Sequence, residues 1–192
     1  MRTLATAHGP LVTNLLQAHL TTVVTLIDTG VYDTPTERRL HICAAELAST
    51  FGWLLFDQGR HGAAQRLWSA ALHAAYQADD RDLGAGCLAD LAYLATWLHH
   101  PAHAVTVLDH AATRTRSPAA LSLLHVRRAR ALATLGDTAS CTRALTAAGT
   151  ALDHATPGTT PTWVSWMSPA VMQSVNLFQR GSVSRPTYCL AA

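Results

Sequence analysis

The chain has 192 residues, of which 49% are hydrophobic and 14% charged, and its formal net charge is +2. This composition excludes an intrinsically disordered chain, because such chains lack the apolar surface that offsets the entropy lost on folding. The near-neutral charge gives no electrostatic basis for general binding to nucleic acid or to an anionic membrane. The length fits one ordinary domain or one stacked array of repeats.

The N-terminal segment shows no targeting signal. Residues 1–9 lack the apolar stretch of a signal peptide, and no uninterrupted apolar run in the chain reaches about 18 residues. We therefore expect a disordered N-terminus over residues 1–9, no membrane association and a cytoplasmic location. The cysteines are widely spaced and are expected to be reduced and structural; they are Cys43, Cys87, Cys141 and Cys189.

From residue 10 to about residue 154 the sequence predicts consecutive helices. Segments rich in Ala and Leu alternate with short groups of Gly, Pro, Asp and Thr. Pro101 and Pro118 suit a first helical turn, while Gly30, Gly59 and Gly136 stand where helices end. The predicted helices cover residues 10–29, 36–58, 61–78, 82–98, 101–115, 118–135 and 138–154. No segment shows the alternation typical of a strand.

A repeated pattern pairs these helices into hairpins. It reads Phe51-Gly52, Leu55, Gly59, Ala64, Trp68 and Ala71-Leu72; then Leu91-Ala92, Ala95, His99, Ala104, Leu108 and Ala111; then Arg128-Ala129, Leu132, Gly136, Cys141, Leu145 and Ala148. Tetratricopeptide units of about 34 residues place large, small and turn residues at these offsets. The pattern therefore predicts an all-α fold, a tetratricopeptide-like right-handed solenoid of antiparallel helix pairs over residues 10–154.

The small residues of the pattern suggest close helix packing. We expect Gly52 to face Ala64 and Ala71 within the first hairpin. Trp68 and Leu108 are then expected to fill the gap between their own hairpin and the next one.

The sequence changes character after residue 154. Residues 155–162 are rich in Thr and Pro and predict a linker, residues 163–180 predict a partial extra repeat helix, and residues 181–192 predict an irregular tail. An array without a second helix at this end lacks a cap. Trp163, Trp166 and Met167 would then be exposed and could favour a homodimer.

One block of the sequence resembles a known family. The block consists of residues 38–41, 44–48, 52–61 and 64–66, with its strongest part in Gly52-Trp53, Phe56-Asp57, Gly59-Arg60-His61 and Ala64-Gln65-Arg66. It resembles the C-terminal tetratricopeptide-like region of actinobacterial, Streptomyces-type transcriptional regulators of the Xre family. The resemblance covers roughly residues 10–166 and implies a sensing or protein-contact half of such a regulator.

The same resemblance does not extend to DNA binding. In the family a helix-turn-helix domain precedes the repeats, whereas only nine residues precede Pro10 here. We therefore expect no direct sequence-specific DNA binding. The resemblance implies a protein or peptide partner instead.

The first helix of each predicted pair supplies a candidate groove for that partner. In a tetratricopeptide array these helices line the concave surface, and helical spacing brings out Glu46, Ser49, Trp53, Phe56, Asp57, Tyr93, Thr96, Trp97, Arg130 and Thr134. Such an aromatic groove would suit an extended peptide or a helix. The alternative is that Trp53, Phe56 and Trp97 belong to the core.

Histidines form one candidate metal cluster. His99, His100 and His103 lie close in sequence, with His110 seven residues further on. Pro101 breaks the helical register between them, which favours a solvated turn between helices. We expect no metal and no cofactor.

Arginines form the one basic concentration, which comprises Arg114, Arg116, Arg127, Arg128 and Arg130. These side chains could contact phosphate or an acidic partner, but solvated helix faces and ion pairs are the simpler interpretation. No motif of a hydrolase, metalloprotease, nucleotide-binding loop or dinucleotide fold is present, so we expect no enzyme.

These observations favour a regulatory scaffold for protein or peptide interaction. Two alternatives stay open at this point. The chain could be a receptor for a small molecule or peptide signal, in which the ligand shifts the curvature of the array. It could also be a truncated remnant of a longer regulator.

Overall fold

A computed structural model describes residues 2–156, 158 and 160–168 of the chain. Regular structure in these residues is entirely helical. The helices are α1 (Arg2–Thr29), α2 (Thr34–Asp57), α3 (His61–Gln77), α4 (Arg81–Trp97), α5 (Pro101–Ala112), α6 (Pro118–Thr134) and α7 (Thr138–Asp153), followed by a 3-10 helix over Thr162–Val164. The predicted all-α class is confirmed.

Helix α1 begins earlier than the sequence pattern predicts. It starts at Arg2, so Pro10 lies inside the helix and not in its first turn. The structure replaces the disordered N-terminus predicted for residues 1–9 by helix from Arg2 onward. Leu4, Ala5 and Ala7 before Pro10 are good helix formers, and a helix can continue through a proline at the cost of one backbone hydrogen bond and a local kink.

The same helix is apolar on average, although none of its uninterrupted apolar runs is long. Pro10–Thr29 spans 20 residues with a mean hydropathy of 1.3, and none of it is buried. By length and composition alone it could cross a membrane. Its threonines interrupt every apolar run but lower the average only a little.

The chain divides into two compact units, Met1–Asp80 and Arg81–Ala192. In the first unit α2 packs against both α1 and α3. In the second unit α4 packs against α5 and α6, α5 against α6, and α6 against α7. The helices of the pairs α2/α3, α4/α5 and α6/α7 are separated by only three residues each, which makes each pair an antiparallel hairpin.

The three hairpin turns share one geometry. Gly59, His99 and Gly136 each have a positive φ, of 76°, 64° and 77° respectively. In each turn the following N–H bonds back to a carbonyl five residues earlier, as from Arg60 to Leu55 at 2.9 Å. This is the helix ending that favours glycine. The turns therefore fall where the repeat pattern predicts them.

The core of the first unit centres on Trp68. Its side chain is fully buried, and its indole N–H donates to the carbonyl of Ser49 at 3.2 Å. The ring covers Gly52, where a Cβ would come within 2.5 Å of the indole nitrogen. Trp68 thus packs inside its own hairpin, where its ring fills the space beside Gly52.

The core of the second unit follows the prediction for Leu108. Leu108 of α5 is buried in one cluster with Ala104, with Ala92 of α4 and with Leu124 and Ala131 of α6. It therefore bridges its own hairpin and the next. Alanine at most of these positions allows the backbones to approach closely.

The described part of the segment after α7 differs from the start of the predicted extra helix. Within residues 160–168 only Thr162–Val164 is helical, as a single 3-10 turn, and residues 167–168 are irregular. Val164 and Met167 are buried against α6 and α7, so the exposed end predicted to drive a homodimer is largely covered. The remainder of the predicted helix, residues 169–180, and the irregular tail at residues 181–192 lie outside the described residues.

Candidate functional site

Two helices of the second unit build one continuous face. On α4 the residues Gly86, Asp90, Tyr93 and Trp97 recur at intervals of four, three and four, which places them on one side of the helix. Helix α6 carries a second such row, Ala119, Leu123, Val126 and Arg130. Contacts within the unit bring the two rows together. We call the two rows, together with Arg127 next to Val126, the α4–α6 face.

A buried ion pair lies at the centre of the α4–α6 face. Arg127 Nη1 donates to Asp90 Oδ1 at 2.6 Å, and both side chains are more than nine-tenths buried. A charge held out of water in this way requires a close partner with good geometry. The pair therefore fixes the relative position of α4 and α6.

An aromatic–cationic contact lies one helical turn further along. The guanidinium of Arg130 stacks on the ring of Tyr93 at 4.6 Å from its centroid, and its Nη1 donates to the Tyr93 hydroxyl at 3.1 Å. The Arg127 guanidinium approaches the same ring at 5.6 Å. The structure thus brings together Tyr93 and Arg130, two of the residues predicted to line a groove.

The repeat explains both contacts. Asp90 and Arg127 are separated by 37 residues, and so are Tyr93 and Arg130. The turns at His99 and Gly136 have that same separation. Equivalent positions of two neighbouring hairpins therefore meet. Aligning the repeats would have revealed Asp90, which lies outside the helical offsets that the groove prediction used.

Thr96 and Trp97 end the row on α4 and differ in exposure. Trp97 is 37% exposed, whereas Thr96 is buried and donates its hydroxyl to the carbonyl of Ala92 at 3.0 Å. Trp97 can therefore contact a partner directly. Thr96 is a core residue, which corrects its predicted place in the groove.

The chain itself covers the other end of the α4–α6 face. Trp163 lies against Gly86, where a Cβ would come within 2.7 Å of the indole ring. Val164 and Met167 pack on Ala119 and Leu123 of α6 in the same cluster. Asp90 is itself buried, so the part that stays open runs from Tyr93 to Trp97, a helix length of about 6 Å.

The first unit holds five further predicted groove residues, and Thr134 is exposed at the end of α6 in the second unit. Trp53 is half-buried and makes edge contacts with Trp68 and Phe56, at ring separations of 5.1 and 5.6 Å. Phe56 is buried and also contacts His61, so it serves the core. Glu46 and Ser49 are half-buried on α2 and Asp57 is exposed at its end. In the first unit the aromatic residues of the predicted groove therefore serve mainly the core.

The candidate metal cluster is dispersed over a turn and a helix. His99 takes the positive-φ position of the α4–α5 turn, and His100 precedes the first residue of α5. Among the residues that the structure describes, no three His, Cys, Asp or Glu side chains gather as a metal site would require.

The arginine concentration resolves into separate contacts. Arg127 forms the buried pair with Asp90, and Arg128 Nε donates to Asp109 of α5 at 2.6 Å on a more exposed surface. Burial, and next the charge of Arg128, lower the pKa of the neighbouring His125. His125 is therefore neutral at pH 7.

Comparisons with known proteins give no relative: no family model, curated protein or solved structure matches the chain.

Proposed function

We propose that the chain is a regulatory scaffold that binds a protein or peptide partner through the open part of the α4–α6 face. The carrying observation is the stacked, hydrogen-bonded pair of Tyr93 and Arg130 beside the exposed ring of Trp97. Aromatic and arginine side chains dominate the binding energy of protein interfaces. The resemblance to the sensor half of Xre-family regulators and a tetratricopeptide-like solenoid belong to the same proposal.

Charge and size suggest the kind of partner. Arg130 is the half-buried charged residue of the face, whereas Asp90 and Arg127 are buried and paired with each other. An acidic residue on the partner would complement the positive charge of Arg130. The open length of about 6 Å matches about two residues of extended chain, so we propose a short linear segment with an acidic residue next to an apolar one.

Stacking gives Arg130 a role that a mobile surface arginine lacks. Its guanidinium is held on Tyr93 before a partner arrives, and an ordered side chain loses less entropy on binding. No enzymatic or DNA-binding role is part of the proposal, and a cytoplasmic location accompanies it.

Selection of peptides by the purified chain tests this proposal. A random peptide library should yield sequences with an acidic and an apolar residue, and Trp97→Ala and Arg130→Ala should each weaken their binding at least about tenfold. Arg143→Ala on α7 is the matched control, because Arg143 is exposed and its guanidinium donates to Ser140 of the same helix at 2.7 Å. Equal binding by all three variants would reject the α4–α6 face as the site.

A further inference from the structure

Helix α1 presents more apolar surface than its neighbour covers. At 3.6 residues per turn, the apolar side chains of residues 11–27 spread over an arc of about 240°. The half-buried residues occupy only part of that arc and recur at alternating intervals of three and four, as a helix-packing seam does; they are Thr13, Leu16, Leu20, Val23 and Ile27. Gln58, just beyond α2, donates to Thr13 at 3.2 Å, which identifies this seam as the side facing α2.

The remaining arc carries a second row of residues, all exposed. We call it the outer stripe, and it consists of Leu11, Leu15, Ala18, Thr22 and Leu26. Leu11 is 67% exposed and Leu15 is 55% exposed. Val12 and His19 lie between the outer stripe and the seam, and the other edge of the stripe adjoins the polar arc of α1, which consists of Asn14, Gln17, Thr21, Thr25 and Asp28. A polar arc of this kind marks the solvent side of a helix.

The polar atoms in and beside the outer stripe are already satisfied within the helix. The Thr22 hydroxyl donates to the carbonyl of Ala18 at 2.9 Å. The His19 ring is bonded through Nδ1 to the carbonyl of Leu15 at 2.8 Å. Covering the stripe would therefore bury a row of mostly apolar groups without stranding the Thr22 hydroxyl.

We propose that the outer stripe binds the outer stripe of a second copy of this chain, with the two α1 helices antiparallel around a two-fold axis. The stripe is close to symmetric about its own centre: Leu11 of one copy meets Leu26 of the other, and Leu15 meets Thr22. The small side chain of Ala18 lies next to the axis and lets the helices approach. A two-fold interface requires such self-complementarity.

The charge and the length of the stripe are compatible with a second copy as the occupant. No Asp, Glu, Lys or Arg stands between residues 3 and 27, so two copies meet without like-charge repulsion. The stripe from Leu11 to Leu26 is about 22 Å long, a contact at the small end of specific interfaces. The dimer should therefore dissociate on dilution through the micromolar range.

Sedimentation equilibrium of the full chain at several concentrations tests the proposal. The wild-type chain should reach twice its mass of 20.5 kDa, Leu15→Glu should stay monomeric, and Thr21→Glu on the polar arc should dimerise like the wild type. Circular dichroism of the three proteins should be the same. A wild-type chain that stays monomeric, or a Leu15→Glu variant that dimerises fully, would overturn the proposal.

A second measurement does not depend on how well the glutamate variant folds. Ala18→Cys, placed in a chain with Cys43→Ser and Cys189→Ser, should be linked to its counterpart by a short bismaleimide, whereas Thr21→Cys should not. Flotation with phosphatidylcholine vesicles tests the other possible occupant of the outer stripe, a lipid bilayer. Vesicle binding that Leu15→Glu abolishes, with no crosslinking through Ala18→Cys, would assign the stripe to a bilayer and reject the dimer.

Discussion

The indole ring of Trp163 lies against Gly86 of α4, in a space that exists only because Gly86 has no side chain. Seventy-seven residues separate the two, and the contact holds the segment after α7 across the N-terminal end of the α4–α6 face. Val164 and Met167 continue the same contact on α6. The chain thereby sets the boundary of its own candidate binding surface.

Gly86→Ala should destabilise the second unit relative to a helical glycine that has no neighbour. A Cβ at residue 86 would meet the Trp163 ring at 2.7 and 2.8 Å, and overpacking of this kind costs about 1–3 kcal/mol. Alanine gains about 0.5–1 kcal/mol in helix propensity at either site. Gly149→Ala in α7 is the control, since nothing lies within 4 Å of its Cβ position. Urea denaturation should rank Gly149→Ala above the wild type and Gly86→Ala below Gly149→Ala; equal stabilisation by both would contradict the contact.

The hairpin turns were predictable because they depend on one residue each. Gly59 and Gly136 stand at positions where φ is positive, and glycine adopts that conformation without a Cβ clash. His99 shows that the turn position could be located even without glycine, through the repeat spacing alone. The conformation of such a turn depends on a few neighbouring residues, so the sequence predicts it well.

Gly136→Ala should destabilise the α6–α7 hairpin by about 1 kcal/mol, because an L-residue pays a steric cost at a φ of 77°. Open space around Gly136 means that no packing contact contributes to the loss. Thermal unfolding followed by circular dichroism would measure the change. Gly149→Ala again serves as the control and should act in the opposite direction, so a stabilised Gly136→Ala variant would argue against the turn geometry.

Side-chain partners were harder to predict than turns. The small residues of the first hairpin indicated close packing, but the atoms nearest to a Cβ at Gly52 belong to the ring of Trp68, which the pattern did not identify as its neighbour. A tryptophan can lie over either neighbouring helix, and the choice depends on the hydrogen bond that its N–H makes, here with Ser49. Periodicity defines a helix face but leaves the partner on that face undetermined.

Long-range polar contacts required the repeat register. Asp90 is a single acidic residue in an apolar helix, and nothing near it in sequence identifies a partner. Its contact with Arg127 becomes visible only when two hairpins are aligned with a shift of 37 residues. Aligning the hairpins could not predict the helix at residues 2–9 or the position of Trp163, because neither belongs to the repeat.

The stability of the α6–α7 hairpin should fall in acid through Asp137. Hydrogen bonds from the side chain and backbone N–H of Ser140 hold the pKa of this carboxyl below its ordinary value. The ionised form therefore stabilises the fold above the unfolded pKa of about 3.9, and the contribution is lost as the pH falls through the lower folded pKa. Asp137→Asn keeps the acceptor without the titration, so melting temperatures at pH 6 and pH 3 should differ less for this variant than for the wild type. An unchanged pH dependence would contradict the role of Asp137.

The buried pair of Asp90 and Arg127 should show strong coupling in a double-mutant cycle. Asp90→Leu alone leaves the Arg127 charge buried without its carboxylate and should cost about 3–5 kcal/mol of unfolding free energy. Adding Arg127→Met removes the stranded charge, so the double variant should recover most of that loss. Urea denaturation of the wild type, both single variants and the double variant gives the coupling energy.

The ion pair between Arg128, the residue after Arg127 on α6, and Asp109 of α5 provides a matched comparison. Its N–O distance is also 2.6 Å, but its side chains are 29% and 53% exposed. Water competes for these charges, so its coupling should stay below about 1 kcal/mol. Similar coupling energies for the two pairs would mean that Asp90 and Arg127 are solvated in solution, and the α4–α6 face would then lack the buried contact that holds its two helices in register.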